Sequence, residues 1–160
     1  SFSNLNALRQ LPLVATDASL TLVHGTLRHP ERFEYLGDLA QAVETGTVCR
    51  TTICCVGHTH VPFVFEYDVG QQQMMRFVTT PQELAEVRLS LDAASTRYVI
   101  NPGSVGQPRD GDPRASVALL DTETAQVSIR RIAYDIPTTQ RKIRDAGLPE
   151  FLASRLAVGR

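Results

Sequence analysis

The chain has 160 residues, of which 42% are hydrophobic and 21% are charged, and its formal net charge is -1. These values are typical of a folded domain and argue against wholesale disorder. The near-zero charge does not indicate nucleic acid or an anionic membrane as a partner, and no apolar run approaches the ~20 residues of a membrane span. We expect a single domain over residues 1–160, because the length suits one domain and no linker interrupts it.

The three cysteines are Cys49, Cys54 and Cys55. An odd number without the spacing of a disulfide framework predicts reduced thiols. The first residues also lack the pattern of a signal peptide, so the sequence predicts a cytoplasmic protein. Cys54 and Cys55 are neighbours on a predicted strand, and their side chains should therefore point to opposite faces. We expect them to pack in the interior rather than to bind metal.

The first half of the chain alternates short helices and strands. Asp38 is a candidate N-cap for one helix, and Gly46 is a candidate stop for it. The run before Gly57 is apolar and partly β-branched, as a buried strand would be, and Gly57 then predicts a tight turn. The predicted elements are a helix over residues 1–11, a strand over 20–23, a loop over 26–36, a helix over 38–44 and a strand over 53–56.

The second half is richer in strands and ends in helices. Residues 101–114 are too dense in glycine and proline to form anything but a loop. Pro137 in the first turn and Gly147 at the end delimit a helix. The predicted elements are strands over residues 63–67, 73–79 and 86–91, with 82–85 as an alternative helical turn, a strand over 97–100, a hairpin of 115–120 with 126–134, and helices over 135–147 and 149–156.

Three of the four histidines lie where predicted strands end. His24 ends one strand just before a glycine, and His58 and His60 follow the glycine after the next strand. Ligands of α/β sheets bind beyond the carboxyl ends of the strands, and imidazole is the commonest metal ligand. A single histidine there is more often a polar residue satisfied by hydrogen bonds, but two at this spacing favour a metal site. His29, in a loop, is predicted to be solvated.

Three segments, in this order, resemble the second half of a calcineurin-like metallophosphoesterase: Val23-His24-Gly25, Gly57-His58-Thr59-His60-Val61-Pro62 and Asn101-Pro102-Gly103-Ser104-Val105-Gly106. The loop over residues 106–114 and the run Tyr134-Asp135-Ile136-Pro137 resemble the bacterial and archaeal phosphodiesterase-like branch. The resemblance extends over about residues 8–147. It implies an α+β fold, the β-rich half of a two-sheet β-sandwich flanked by helices (four layers, αββα), incomplete in this chain.

The resemblance also implies metal-dependent hydrolysis of a phosphoester by a water that two divalent metal ions activate. Manganese, iron, zinc or nickel would each suit mixed nitrogen and oxygen ligands. By motif, His24 and His58 would bind one ion and His60 the other. The substrate would be a phosphorylated small molecule or protein. No residue of this chain is assigned a catalytic role.

Two arginines of the 101–114 loop are candidate substrate-binding residues. Arg109 and Arg114 could each reach a phosphate as a bidentate donor. The alternative is that they pair on the surface with Asp110 or Asp112. The sequence leaves both readings open.

The first-half motifs of the family are missing from the chain. It contains no Asp-x-His and no Gly-Asn-His, and its Gly-Asp pairs at Asp38 and Asp112 come after His24. Three imidazoles without a carboxylate are a poor two-metal site. We therefore expect this chain to be the C-terminal part of a longer enzyme and to hydrolyse little alone. The missing N-terminal segment of the same domain would be its partner. Unpaired strand edges would also permit a homo-oligomer.

Two other functions fit the sequence. The first is a catalytically inactive member of the family that acts as a binding or scaffold module. The second is a structural zinc site on an ordinary β-rich domain, which needs a fourth ligand. None of the cysteines lies convincingly near the histidines in sequence. We rank this possibility last.

Overall fold

The computed structural model describes residues 2–90 and 94–160, which form two β-sheets and several helices. This arrangement confirms the predicted α+β class. The helices are α1 (Phe2–Arg9), α2 (Leu39–Val48), α3 (Pro81–Leu84), α4 (Ile136–Asp145) and α5 (Glu150–Ser154), with 3-10 turns at Pro30–Arg32 and Arg155–Val158. The strands are β1 (Val14–Asp17), β2 (Leu20–Val23), β3 (Ile53–Cys55), β4 (Phe63–Asp68), β5 (Gln73–Val78), β6 (Val87–Arg88), β7 (Thr96–Asn101), β8 (Ala115–Asp121) and β9 (Gln126–Ile132).

The larger sheet has the order β1-β2-β3-β7-β4-β5. Its central strands β2, β3 and β7 are parallel neighbours, whereas β4 runs antiparallel to β7. The carboxyl ends of β2, β3 and β7 therefore meet at one edge, and β4 begins at that same edge. This geometry gathers the segments that follow three strands and precede a fourth.

The smaller sheet, of order β6-β9-β8, packs against one face of the larger one. Buried apolar side chains of both sheets form a common core there, including Ile53, Val64, Tyr98, Val127 and Ile129. On β9, the buried Val127 and Ile129 alternate with more exposed residues, as expected for a sheet with one buried face. The interface forms the predicted two-sheet sandwich.

Helix α2 contributes to the core on the other face of the larger sheet. Asp38 begins it with a capping box, in which its side chain accepts from the backbone N–H of Gln41. The N-cap prediction is confirmed, but the predicted stop at Gly46 is wrong, since the helix continues to Val48. Gly46 is buried against Tyr67, where an added Cβ would lie 3.0 Å from the ring. The glycine is needed for close helix–sheet packing rather than for termination.

Cys54 and Cys55 confirm the prediction that neighbouring cysteines on a strand face opposite ways. Cys54 is fully buried in the core beneath α2, whereas Cys55 packs against the core between the sheets. Both side chains fill interior space on either side of β3.

Some predicted elements differ from the structure. Strand β1, which pairs with β2 through a tight turn at Ala18, was not predicted because its residues are mostly exposed. The strand predicted over 86–91 is shorter in the structure, where only the two residues of β6 are paired, and Leu91 lies outside the described residues. The alternative helical turn predicted over 82–85 is confirmed by α3. At the carboxyl end, the helix start at Asp135 and its end at Gly147 agree with the prediction.

Among the residues that the structure describes, no helix is both long enough and apolar enough to cross a membrane.

Candidate functional site

The histidines singled out in the sequence lie together at the edge where the parallel strands end. His24 follows β2, His58 follows β3 and His60 lies just before β4. The peptide N–H of Gly57 donates to the carbonyl of His24 at 3.0 Å, which joins the ends of β2 and β3. The parallel pairing of these strands is the reason why residues 34 positions apart become neighbours.

His24 and His58 are in direct contact. The Nε2 atom of His24 lies 2.9 Å from the Nδ1 atom of His58. One of these nitrogens carries a proton and donates a hydrogen bond, and the other accepts that bond. The ring of Tyr35 stacks on His58 with centroids 4.0 Å apart and an interplanar angle of 14°. Phe33 approaches His24 edge-on at 6.0 Å. These two aromatic side chains restrict the orientation of the imidazoles.

His60 is oriented by a backbone group of the 101–114 loop. Its Nδ1 atom lies 2.7 Å from the carbonyl oxygen of Gln107. A carbonyl can only accept, so Nδ1 donates, and Nε2 of the neutral ring keeps a free lone pair. A hydrogen bond of this kind is how proteins fix the tautomer of a metal-binding histidine.

The turn that carries the two histidines has an unusual backbone. His58 and His60 have φ values of +65° and +62°, in the left-handed region, whereas Gly57 does not. The predicted glycine turn is therefore wrong in detail, because the histidines themselves make the reversal. Such conformations cost on the order of 1 kcal/mol or more each in non-glycine residues. They cluster at functional sites, where neighbouring contacts hold them.

Asn101, at the end of β7, supplies those contacts. Its fully buried amide nitrogen donates to the carbonyl of Gly57 and to the hydroxyl of Thr59, both at 2.9 Å. Its amide oxygen accepts from the backbone N–H of Gly103 at 2.9 Å. One side chain thus ties the histidine turn to the beginning of the 101–114 loop.

The electrostatic environment favours neutral imidazoles. Burial lowers the pKa of His58, and the neighbouring His24, His60 and Arg109 side chains lower it further. Burial also lowers the pKa of His60, although the hydrogen bond to Gln107 opposes this. Arg109 and Arg155 add to the lowering at His60. Two guanidinium groups therefore influence the site, and they would attract an anion.

The two predicted arginines have different partners. Arg109 donates through Nε and Nη2 to the neutral side-chain oxygen of Gln107, at 3.3 and 2.9 Å. Among residues 2–90 and 94–160 it forms no ion pair with a carboxylate, and its charge acts on His60. Arg114 forms an ion pair with Asp112, with 2.6 Å between Nη2 and Oδ2. The loop therefore brings only the first of these charges to the histidines.

The sequence did not point to Tyr35, Phe33, Gln107 or Arg155 as part of this site. Tyr35 and Phe33 belong to an irregular segment without a periodic pattern, and Arg155 lies 95 residues beyond His60 in the chain. No local signal marks such contacts, because long-range packing creates them.

The nitrogen atoms fit part of a metal centre. Two nitrogens bound to one ion at ~2.1 Å would lie roughly 3.0–3.4 Å apart, close to the observed 2.9 Å between His24 and His58. Within residues 2–90 and 94–160, however, no group of three or more His, Cys, Asp or Glu side chains is placed to hold a metal ion. The described residues therefore place imidazole nitrogens close together, but without the neighbouring carboxylates that a dinuclear metal site would also need.

Comparisons with known proteins give the family. The calcineurin-like phosphoesterase superfamily domain matches residues 4–125. The crystal structure of a metallophosphoesterase from Sphaerobacter thermophilus is 39% identical with a TM-score of 0.81, over 100% of this chain and 62% of that one. An uncharacterized protein of Methanocaldococcus jannaschii is 35% identical, over 98% of this chain and 60% of its own length.

A hypothetical protein from Pyrococcus horikoshii shares the fold at 20% identity, with a TM-score of 0.66 over 99% of this chain and 55% of that one. The chain spans about three fifths of the length of the more similar relatives. Members of the family generally depend on divalent metal ions. The family match covers most of the chain, and two of the relatives are more than 30% identical to it. The chain belongs to the calcineurin-like phosphoesterase superfamily.

Proposed function

We propose that this chain is the C-terminal part of a metal-dependent phosphoesterase and that His24, His58 and His60 bind divalent metal ions. The observation that carries the proposal is the convergence of His24 Nε2 and His58 Nδ1 to 2.9 Å at the edge where three parallel strands end. The outward lone pair of His60, set by Gln107, supports it. Family membership supports phosphoester hydrolysis as the reaction.

The residues have separate tasks in this proposal. His24 and His58 bind one ion and His60 a second, and the metals are manganese, iron, zinc or nickel. Bound divalent ions supply a water of lowered pKa that can attack phosphorus near neutral pH. Tyr35 holds the His58 ring in place by stacking on it. Asn101 holds the backbone of the turn, so that both rings keep their positions.

The phosphate of the substrate is bound by arginine. Arg109 is the stronger candidate, because its neutral partner Gln107 leaves its charge available near the histidines. Arg155 adds positive charge from the C-terminal 3-10 turn. Arg114 contributes less, because the carboxylate of Asp112 already compensates it. The substrate is a phosphorylated small molecule or protein.

The carboxylate ligands come from another part of the same polypeptide in this proposal. An open cavity of about 710 Å³ borders His24. It is lined by apolar side chains of α1, β1, β2 and the connection between α1 and β1, among them Leu8, Leu11 and Leu22. Edge strand β1 lies beside it and is mostly exposed. An additional segment of the longer protein can cover this apolar surface and bring carboxylates to the histidines. Exposed edges would also permit a homo-oligomer.

A catalytically inactive binding module is the second candidate. One observation favours it: in the described part of the chain, no three metal-ligating side chains form a group that could hold an ion. A module of this kind would bind its partner without metal, so the metal content distinguishes the two functions.

The test measures bound manganese and hydrolysis of bis(p-nitrophenyl) phosphate for the chain and for a longer protein that contains it. We expect hydrolysis only in the longer protein. His58→Asn should lower metal affinity by at least the ~10–100-fold that loss of a ligand's hydrogen-bond partner alone produces. His29→Asn is the matched control, because this half-buried histidine lies 3.7 Å from Glu31 on a loop. Full activity of the 160-residue chain alone, or of His58→Asn, would overturn the proposal. A longer protein that binds no metal would support the binding module.

The proposal that Arg109 rather than Arg114 binds the phosphate is tested by comparing substitutions of the two arginines. In the longer protein, Arg109→Gln should raise KM about tenfold, since one charge-assisted contact to a phosphate contributes roughly 1.5 kcal/mol. Arg114→Gln should change KM about twofold or less, because its ion pair is exposed and contributes little. Equal effects of the two substitutions would contradict the assignment.

A further inference from the structure

An apolar cavity adjoins the histidine turn. It is open to solvent and has a volume of about 370 Å³. Its lining combines the start of α2, the strands β4 and β5, and the turn itself, and includes residues 36–39, Phe63, Phe77, Thr59 and Val61. Because Thr59 and Val61 flank His60 in the chain, the cavity and the candidate metal site share one segment.

The walls of this cavity are mostly apolar side chains. Leu36 and Phe63 are buried, whereas Leu39 and Phe77 are about half exposed. The rings of Phe63 and Phe77 have centroids 5.5 Å apart and an interplanar angle of 45°. In other proteins, apolar cavities of ~150 Å³ bind benzene. The cavity beside the histidine turn is therefore large enough for an aromatic ring.

The charge at the cavity disfavours an anionic group. Of the described residues that line it, Asp38 is charged and none is arginine, lysine or histidine. The Asp38 carboxylate accepts from the backbone N–H of Gln41 at 2.9 Å, so it already compensates the positive end of the α2 dipole. A second phosphate would meet this carboxylate without a cation beside it. The lining therefore favours an uncharged group.

Two separate segments connect the cavity to the histidines. Thr59 is joined by peptide bonds to both His58 and His60, and neighbouring Cα atoms lie ~3.8 Å apart. Leu36 follows Tyr35, whose ring stacks on His58 with centroids 4.0 Å apart. An ester whose phosphate lies at the histidines therefore has this apolar lining within about one residue's length.

We infer that the cavity binds an uncharged apolar group of the phosphoester, about the size of a phenyl ring, while the phosphate lies at the histidines. The rings of Phe63 and Phe77 contact this group, and Leu39 contacts it from the start of α2. Ligand sites commonly combine such an apolar lining with a few polar groups that fix orientation. The inference rests on the proposed function for the reaction, but binding in the cavity can be measured without hydrolysis.

The first test measures competitive inhibition by phenyl phosphate and by methyl phosphate of the hydrolysis of bis(p-nitrophenyl) phosphate. It uses the longer protein with manganese, and the two inhibitors differ only in the apolar group. We expect Ki to be about tenfold lower for phenyl phosphate, because the cavity removes part of the ring from water. Phe77→Ala should reduce this ratio to about twofold.

Met75→Ala is the matched control for Phe77→Ala. Met75 is an exposed apolar residue of the same strand that is not part of the described lining. We expect its variant to keep the wild-type ratio of the two Ki values. Equal Ki values in the wild type, or an unchanged ratio in Phe77→Ala, would overturn the inference, whereas hydrolysis itself would still support the proposed function.

The second test uses the 160-residue chain and needs no hydrolysis. In an NMR titration, phenyl phosphate should shift the amide signals of Thr59 and Phe77 more than methyl phosphate does at the same concentration. If the longer protein hydrolyses no phosphoester, the proposed function fails, and this titration still decides whether the cavity binds an aromatic group. Equal shifts with the two esters would overturn the inference, and this comparison needs no variant to fold.

Discussion

The two halves of the 101–114 loop are held in different ways. Residues 101–109 are bound to the histidine turn by uncharged hydrogen bonds, through Asn101 to Gly57 and Thr59, and through Gln107 to His60. Residues 110–114 are held mainly by ion pairs, in which Arg131 contacts Asp110 and Asp112, and Arg114 contacts Asp112. The first half lies over the buried end of the sheet, and the second half lies over the protein surface.

This difference explains why neighbouring arginines have different roles available to them. Where the loop is held by neutral groups, the side chain of Arg109 is bonded to the uncharged Gln107. Where it is held by ion pairs, the charge of Arg114 is used to hold the loop. Buried hydrogen bonds contribute to stability at any ionic strength, whereas exposed ion pairs are screened by salt. Three predictions test this contrast.

The largest effect is expected for Asn101→Leu. This substitution removes three hydrogen bonds of a fully buried side chain and leaves the carbonyl of Gly57 and the N–H of Gly103 without partners. We expect the free energy of unfolding to fall by about 3 kcal/mol, measured by urea denaturation. Thr59→Val removes one hydroxyl, which accepts from Asn101 at 2.9 Å and from the N–H of Val61 at 3.3 Å, and should cost about 1 kcal/mol. Equal losses in the two variants would contradict a central role for Asn101.

A smaller effect is expected for Gly103→Ala. Gly103 has a φ of +84°, and an added Cβ would lie 2.8 Å from the Cβ and Oγ atoms of Ser116. The strain and the clash should together cost about 2 kcal/mol in the same measurement. Gly106→Ala is the matched control, because nothing lies within 4 Å of its added Cβ. We expect that variant to unfold within about 0.5 kcal/mol of the wild type.

The smallest effect is expected for the ion pairs of the second half. Hydrogen bonding from Arg114 lowers the pKa of Asp112 to about 2. Because the folded-state pKa is depressed, the stabilisation is present above the unfolded-state pKa of ~4 and is lost as the pH falls towards 2. After solvent screening, we expect it to be about 1 kcal/mol or less.

The measurement for this pair is the difference in unfolding free energy between the wild type and Asp112→Asn as a function of pH and salt. The difference should shrink between roughly pH 5 and pH 2 and in high salt. Asn101→Leu should keep its full cost in high salt. If the destabilisation by Asn101→Leu shrinks in high salt, or if the destabilisation by Asp112→Asn does not change with pH, the two halves of the loop are not held in different ways.

Local signals in the sequence were enough for much of the fold. The N-cap at Asp38, the helix start at Asp135 and the stop at Gly147 depend on side chains and backbone within a few residues, so the sequence predicts them directly. Predictions from the sequence failed where the role of a residue depends on packing against distant parts of the chain. Gly46 was expected to end a helix, but it provides room for Tyr67 from another element.

The sequence by itself determined that histidines stand at the ends of buried strands, because alternation and glycine spacing are local properties of the chain. Only the tertiary structure decided that His24 and His58 face each other, that Tyr35 stacks on one of them, and that Arg109 rather than Arg114 keeps a free charge. The reason is physical: strand order and loop packing set these contacts, and both arise from interactions between residues far apart in the chain.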